Sequence, residues 1–195
     1  MDGTIYLTAA FTGTRRGEVL ALRWRDVDFE GSTIRVRASY YKNQLTTPKS
    51  GKVRSIPMAP DVAAAMARLG RRERFTGDDD FVFANESGLP IDGEALCKRY
   101  ETAVKNAGLR RLRFHDLRRT FGTRMIRRAD IRRVQEWMGH ADIQTTMKYL
   151  HYESRKEDAD LVARAFQTEQ VGERAGIPVD LERALAGHAT APLTR

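Results

Sequence analysis

Thirteen basic residues crowd the stretch from Lys98 to Arg133 against only Glu101, Asp116 and Asp130, so this stretch carries +10 while the whole 195-residue chain carries +8. So many like charges cannot be taken out of water. The stretch must therefore fold as surface helices whose few apolar residues, Leu117, Phe121 and Met125 among them, make one narrow inward stripe. Arginine outnumbers lysine here, and its planar fork fits phosphate oxygens in pairs. A basic block this concentrated implies a polyanionic partner, nucleic acid first.

The rest of the chain sets the frame. Its length suits one ordinary domain with a tail, enough to bury a core without covalent or metal staples. The lone cysteine, Cys97, excludes an internal disulfide and a cysteine-rich zinc site. No apolar run of membrane-spanning length is present, and Met1–Ala10 lacks the basic start and long apolar stretch of a secretory signal. A reduced, cytoplasmic setting is the expectation.

Helical periodicity dominates. Gly17–Trp24, Pro60–Leu69, Gly93–Ala107, His115–Arg128, Ile131–Met138 and Asp142–His151 show helical faces, and Asp158–Phe166 continues helical. Thr33–Ser39 alternates apolar and polar residues as a strand does, as do Val53–Ile56, with Tyr40–Lys52 as loop or hairpin between them. Phe81–Phe83 reads as a short buried strand. The expected fold is mainly α with a small antiparallel β-sheet (α+β), over residues 1–166, with a loose tail from 167 to 195.

Four sets of residues can carry chemistry. Thr12-Gly13-Thr14-Arg15-Arg16-Gly17-Glu18 puts Arg15 at a helix start, where free backbone N–H groups favour an anion, with Glu18 able to orient its guanidinium. His115 and Arg118 share one face of a helix, a proton acceptor beside a fork of donors. His140 follows the helix-stopping Gly139, and Tyr149 lies on the next helix, where an activated phenol can act as a nucleophile. Lys49 sits in the turn-forming Thr47-Pro48-Lys49-Ser50-Gly51-Lys52. Each set alone has an ordinary structural reading: a helix-start salt bridge, a chance pair, a packed tyrosine, a solvated lysine. Together they form a metal-free kit for attacking a phosphodiester. Arginines stabilise the non-bridging oxygens, a histidine takes the tyrosine proton, a lysine protonates the leaving oxygen, and the tyrosine stores the bond as a phosphoester.

The sequence resembles the catalytic domain of the tyrosine recombinase (phage-type integrase) family. Thr12–Asp28 is similar to the family's first arginine box, and Phe114-His115-Asp116-Leu117-Arg118-Arg119-Thr120 to its His-x-x-Arg box. Met138–His151 is similar to its closing box, with Met138 in place of the usual leucine. The likeness runs from about Tyr6 to His151. It implies Arg15 and Arg118 as phosphate clamps, His115 as proton acceptor, His140 as a further phosphate ligand and Tyr149 as nucleophile, with Glu18 supporting Arg15. It implies Lys49, on a β-hairpin, as general acid ahead of Lys52, because the family's lysine precedes a small residue well before the basic-x-x-Pro end of the hairpin. It also implies that a separate helical DNA-binding domain, and part of the first catalytic helix, are missing in front.

The resemblance thus implies a site-specific recombinase that cuts and rejoins DNA through a 3′-phosphotyrosyl link, with no cofactor or metal. It further implies double-stranded DNA as partner and a homotetramer on DNA, with a monomer expected when free. Two alternatives share the residues: a type IB topoisomerase-like enzyme that religates the same duplex, and a binding-only remnant. A metal-dependent nuclease fits poorly, since the four histidines are scattered and no carboxylate cluster suits Mg²⁺.

Overall fold

A computed structural model describes residues 1–150 of the chain. Helix α1 (Asp2–Thr12) ends where Gly13 turns left-handed, at φ 64°. Helix α2 (Arg16–Leu20) and a 3-10 turn (Trp24–Asp26) lead into the strands β1 (Val27–Asp28), β2 (Thr33–Val36), β3 (Ser39–Tyr41), β4 (Gln44–Thr46) and β5 (Arg54–Pro57). Helices α3 (Pro60–Leu69), α4 (Gly93–Asn106), α5 (Phe114–Met125), α6 (Ile131–Met138) and α7 (Ile143–Met147) follow. This is the mainly α architecture with small antiparallel sheets that the sequence predicts.

The helix starts are capped as their sequences dictate. Asp92, Asp130 and Asp142 accept from backbone N–H groups in the first turns of α4, α6 and α7. Pro60 occupies the first turn of α3, where its missing N–H costs nothing.

The segment expected as loop or hairpin proves to be a hairpin, while one expected strand and one expected helix are corrected. The order β1-β2-β5 makes one antiparallel sheet, with Ile34 opposite Ile56. The segment between β2 and β5 builds its own hairpin, β3 against β4, closed by Lys42 and Asn43 at φ 46° and 60°. A two-residue left-handed turn matches the twist of the flanking strands. β4 is exposed throughout and β3 is only partly buried, so the pair carries no clear apolar alternation to announce it. Phe81–Phe83 is buried but is not a strand: Phe81 makes a single bridge to Arg23. The expected helix over Gly17–Trp24 stops at Leu20, because the Leu22 carbonyl accepts from Val82 N–H at 2.8 Å instead of continuing the helix. The predicted helix over 158–166, the tail from 167 and the domain boundary between them lie outside the described residues.

Two apolar clusters hold these elements. The larger joins α1, α2, the sheet, α3, α4 and the start of α5 through Ile5, Leu20, Ile34, Met66, Phe83 and Leu96, with Tyr6, Tyr100 and Phe114 packed edge to face. The smaller is Phe121, Val134 and Met138, with Tyr149 packed against it. It fastens α6 to α5 and, through Tyr149, the turn that follows α7, so the segments bearing His140 and Tyr149 depend on it; the helix expected over Asp142–His151 ends at Met147, which leaves Tyr149 in that turn. Met138 fills the place of the expected leucine without exposure.

Gly13 couples the two halves. A Cβ there would lie 2.3 Å from Phe121 Cδ1, and the left-handed φ adds strain for any side chain. Gly13→Ala is expected to lower unfolding free energy by at least about 2 kcal/mol. Urea denaturation checks this, and an unchanged midpoint would refute the close packing of α1 on α5.

Candidate active site

The site begins with a carboxylate that has left water. Glu18, in the first turn of α2, has a fully buried side chain. Its Oε1 accepts from Arg15 Nη1 at 3.0 Å and Arg54 Nη1 at 3.1 Å. Its Oε2 accepts from Arg15 backbone N–H at 2.8 Å and Arg54 Nη2 at 2.7 Å. Burial alone pushes this carboxyl upward, but the Arg54 hydrogen bonds and charge, with those of Arg15, outweigh it and hold Glu18 below the usual carboxylate value.

Three arginines then meet one helix end. The last carbonyls of α6 have no partner within the helix. Trp137 O accepts from Arg54 Nε at 2.9 Å, Met138 O from Arg118 Nη2 at 2.7 Å, and Gly139 O from Arg15 Nη2 at 3.1 Å. Arg118 also donates to the Gly13 carbonyl. The negative end of the helix dipole suits these cations. Gly139 makes the convergence possible: at φ 63° it ends α6, and a Cβ there would lie 2.8 Å from the Arg54 guanidinium.

Positive charge is in excess. Burial, then the Arg15 charge, lowers Arg118 to about 10. The next residue after Gly139 is His140. Burial first, then Arg118, Arg15 and Arg54, lower it to about 4, so its ring is neutral at pH 7. Its Nδ1 lies 2.8 Å from the hydroxyl of the fully buried Thr146 in α7, which fixes the ring's orientation. The Tyr149 ring stacks parallel to His140 with centroids 6.3 Å apart, and it lies over Gly122, one turn along α5 from Arg118.

The structure thus brings Arg15, Glu18, Arg118, His140 and Tyr149 into one cluster. His115 sits at its edge, on the exposed side of α5; desolvation, then the Arg118 charge, holds it below the usual histidine value. Lys49 is exposed on the turn between β4 and β5, not at the tip of the β3–β4 hairpin, and it makes no hydrogen bond or ion pair among the described residues. Lys52 is likewise exposed on that turn. No group of histidines, cysteines and carboxylates among the described residues could hold a metal ion.

Two site residues escaped the sequence reading. Arg54, the basic residue of the basic-x-x-Pro run, served there only as a marker for the lysine. The signal was present: Arg54 alternates with Ile56 on the buried face of β5, where an arginine requires a built partner. Thr146 had no signal beyond its spacing from His140.

The chain matches the phage integrase family over residues 2–156, and it belongs to that family. It is 29% identical over 174 residues to the XerC-like tyrosine recombinase of Caldanaerobacter subterraneus subsp. tengcongensis, covering 75% of this chain and 44% of that one. It is 32% identical over 142 residues to tyrosine recombinase XerC of Xanthomonas axonopodis pv. citri, covering 72% and 43%. The chain therefore spans less than half the length of these curated relatives. Among solved structures it is similar to XerA recombinase, with TM-score 0.60 and 26% identity over 86% of this chain and 62% of that one. It is also similar to the Tn1549 transposon integrase in complex with circular intermediate DNA, with TM-score 0.64 and 26% identity over 84% and 59%.

Both depressed groups bind protons more readily once unfolded, so folding stability falls as pH drops. The His140 contribution is full above its ordinary value of 6.5 and is lost toward about 4; the Glu18 contribution follows below its ordinary value of 4.5. Thermal melts between pH 7 and pH 4 are expected to show this decline, and His140→Gln should flatten the part above pH 4.5. A pH-independent melting temperature in the unaltered protein would contradict the site's electrostatics.

Proposed function

We propose that this chain is the catalytic part of a site-specific DNA recombinase that breaks and rejoins strands through a covalent tyrosine intermediate. The observation that carries this is the convergence of Arg15, Arg54 and Arg118 on the end of α6 beside His140 and Tyr149. Against these three cations stands one carboxylate, Glu18, so the cluster holds unbalanced positive charge. A phosphodiester supplies the missing negative charge, and guanidinium pairs match its oxygens.

In this reading Arg15, Arg118 and His140 hold the non-bridging oxygens of the scissile phosphate. The Tyr149 oxygen attacks phosphorus and its proton passes to His115. The bond to the 5′ oxygen breaks, and that oxygen takes a proton from Lys49. The products are a 3′-phosphotyrosyl link and a free 5′-hydroxyl. A 5′-hydroxyl from a partner duplex then reverses the step, so no nucleotide hydrolysis is needed. Lys49 reaches the leaving oxygen only when the turn between β4 and β5 closes on DNA. The partner is double-stranded DNA, with a homotetramer on DNA, a monomer off it, and the cytoplasm as its setting. Solved relatives bound to DNA support this partner: the Tn1549 integrase, and XerH in a post-cleavage complex with palindromic difH substrate at 27% identity and TM-score 0.62.

The second reading is a binding-only relative. The exposed position of Lys49, outside the cluster, is what favours it.

Covalent capture separates the two. The protein is mixed with fragmented, nicked DNA from its source, denatured in detergent, and the DNA that stays attached is sequenced. The recombinase reading predicts an adduct in the unaltered protein and none in Tyr149→Phe, with Arg118→Ala slowed on the order of 10²- to 10³-fold. An adduct that survives Tyr149→Phe overturns the assignment of the nucleophile. Complete absence of adduct, with DNA binding intact, supports the binding-only reading.

A further inference from the structure

A neutral imidazole has two ring nitrogens and one proton, so what His140 offers a ligand depends on which nitrogen holds that proton. The ring is neutral at pH 7 because burial and the charges of Arg118, Arg15 and Arg54 oppose its protonation. Its Nδ1 meets the Thr146 hydroxyl at 2.8 Å, and its Nε2 has no partner among the described residues.

The hydroxyl proton decides between the two forms. Thr146 is fully buried, so its proton needs an acceptor within the protein. A threonine in a helix can give that proton to the carbonyl one turn back. Thr8, Thr102 and Thr120 do so in this chain, to the carbonyls of Thr4, Lys98 and Asp116 at 2.7, 3.0 and 3.0 Å. Thr146 makes no such bond to the Asp142 carbonyl; His140 Nδ1 is its side chain's single partner among the described residues. With the ring proton on Nδ1, the hydroxyl's own proton would be buried without an acceptor. With the ring proton on Nε2, the Nδ1 lone pair accepts it and both groups are satisfied.

We propose that the Thr146 hydroxyl donates to His140 Nδ1 and so holds the ring in its Nε2–H form, a neutral hydrogen-bond donor within the arginine cluster. Thr146 is then a positioning residue. Non-bridging phosphate oxygens only accept hydrogen bonds, so the opposite form would set lone pair against lone pair. The arginines keep His140 from charging, and Thr146 makes the uncharged ring a donor all the same. The use of this tautomer rests on the phosphate-holding role proposed for His140, whereas the tautomer itself belongs to the free protein.

Long-range proton–nitrogen correlation spectra of the isotope-labelled free protein at pH 7 report the tautomer of each histidine, and His140→Gln assigns the His140 signals by their loss. The expected result is an Nε2–H ring in the unaltered protein and in Thr146→Ser. Mixed tautomers are expected in Thr146→Val, which keeps the side chain's shape without its hydroxyl. An Nδ1–H ring in the unaltered protein overturns the proposal, and that spectrum needs no variant to fold. His140 signals unchanged in Thr146→Val overturn it equally. Melting temperatures verify that both variants fold, and adduct formation at saturating nicked DNA is followed beside the spectra. Thr146→Val is expected to slow it on the order of 10- to 100-fold, as losing the partner of a metal-binding histidine does, and Thr146→Ser to restore it. An unslowed Thr146→Val with shifted tautomers overturns the positioning role. An Nε2–H ring that shifts in Thr146→Val, with no adduct even in the unaltered protein, leaves the tautomer standing and removes the strand-exchange reading instead.

Discussion

Glu18 is a carboxylate with no access to water, and the positions of the surrounding arginines follow from that. A buried ion of this kind is tolerated only when its lone pairs are filled, because desolvation costs several kcal/mol in real proteins. Two donors come from Arg15 and two from Arg54, one bond on each oxygen from each residue. The arginines have remaining donors, and the end of α6 supplies acceptors. Three successive carbonyls, from Trp137, Met138 and Gly139, take one hydrogen bond each from Arg54, Arg118 and Arg15. The pair Glu18–Arg54 thus ties α2 and β5 to the helix that presents His140.

This arrangement leaves the free protein with helix carbonyls holding guanidiniums that have forks to spare. Carbonyl dipoles are weaker partners for arginine than a phosphate monoanion, since charge on both sides roughly doubles a hydrogen bond's strength. The lowered values of Arg118 and His140 have the same origin: burial among like charges that one carboxylate does not balance. An anion at this place reverses the second effect by favouring the charged forms. Preorganisation of this kind lets a site meet the charge of a transition state without rearranging at the moment of reaction.

Much of the cluster was legible because its members lie on short local spacings. Arg15 with Glu18, and His115 with Arg118, are three residues apart on helices; His140 and Tyr149 flank one short helix whose cap, Asp142, is visible in the sequence. What the sequence hid lies in contacts between distant segments. Arg54 meets Glu18 across 36 residues, and Arg118 meets Gly13 across 105. The β3–β4 hairpin was legible only as loop or hairpin for another reason: β4 is exposed throughout and β3 only partly buried, with Tyr40 against the core, so the period-2 signal of a half-buried strand is too short to settle it. Its presence moved Lys49 from an expected hairpin tip to the following turn. Phe81–Phe83 misled in the opposite sense, since three buried apolar residues look like a strand whether or not a partner ladder exists.

The measurement that tests the central claim most directly is a double-mutant cycle on Glu18 and Arg54, read by urea unfolding of Glu18→Gln, Arg54→Met and the pair together. Removing one partner leaves the other's buried charge short of its counter-ion, at about 3–5 kcal/mol, whereas removing both takes away the two opposite charges of the pair together. The account predicts a coupling of at least about 2 kcal/mol, the double variant being much more stable than the sum of the single losses implies. Additivity within about 0.5 kcal/mol would contradict it, because the two residues would then not be the joint that holds the arginines on the end of α6.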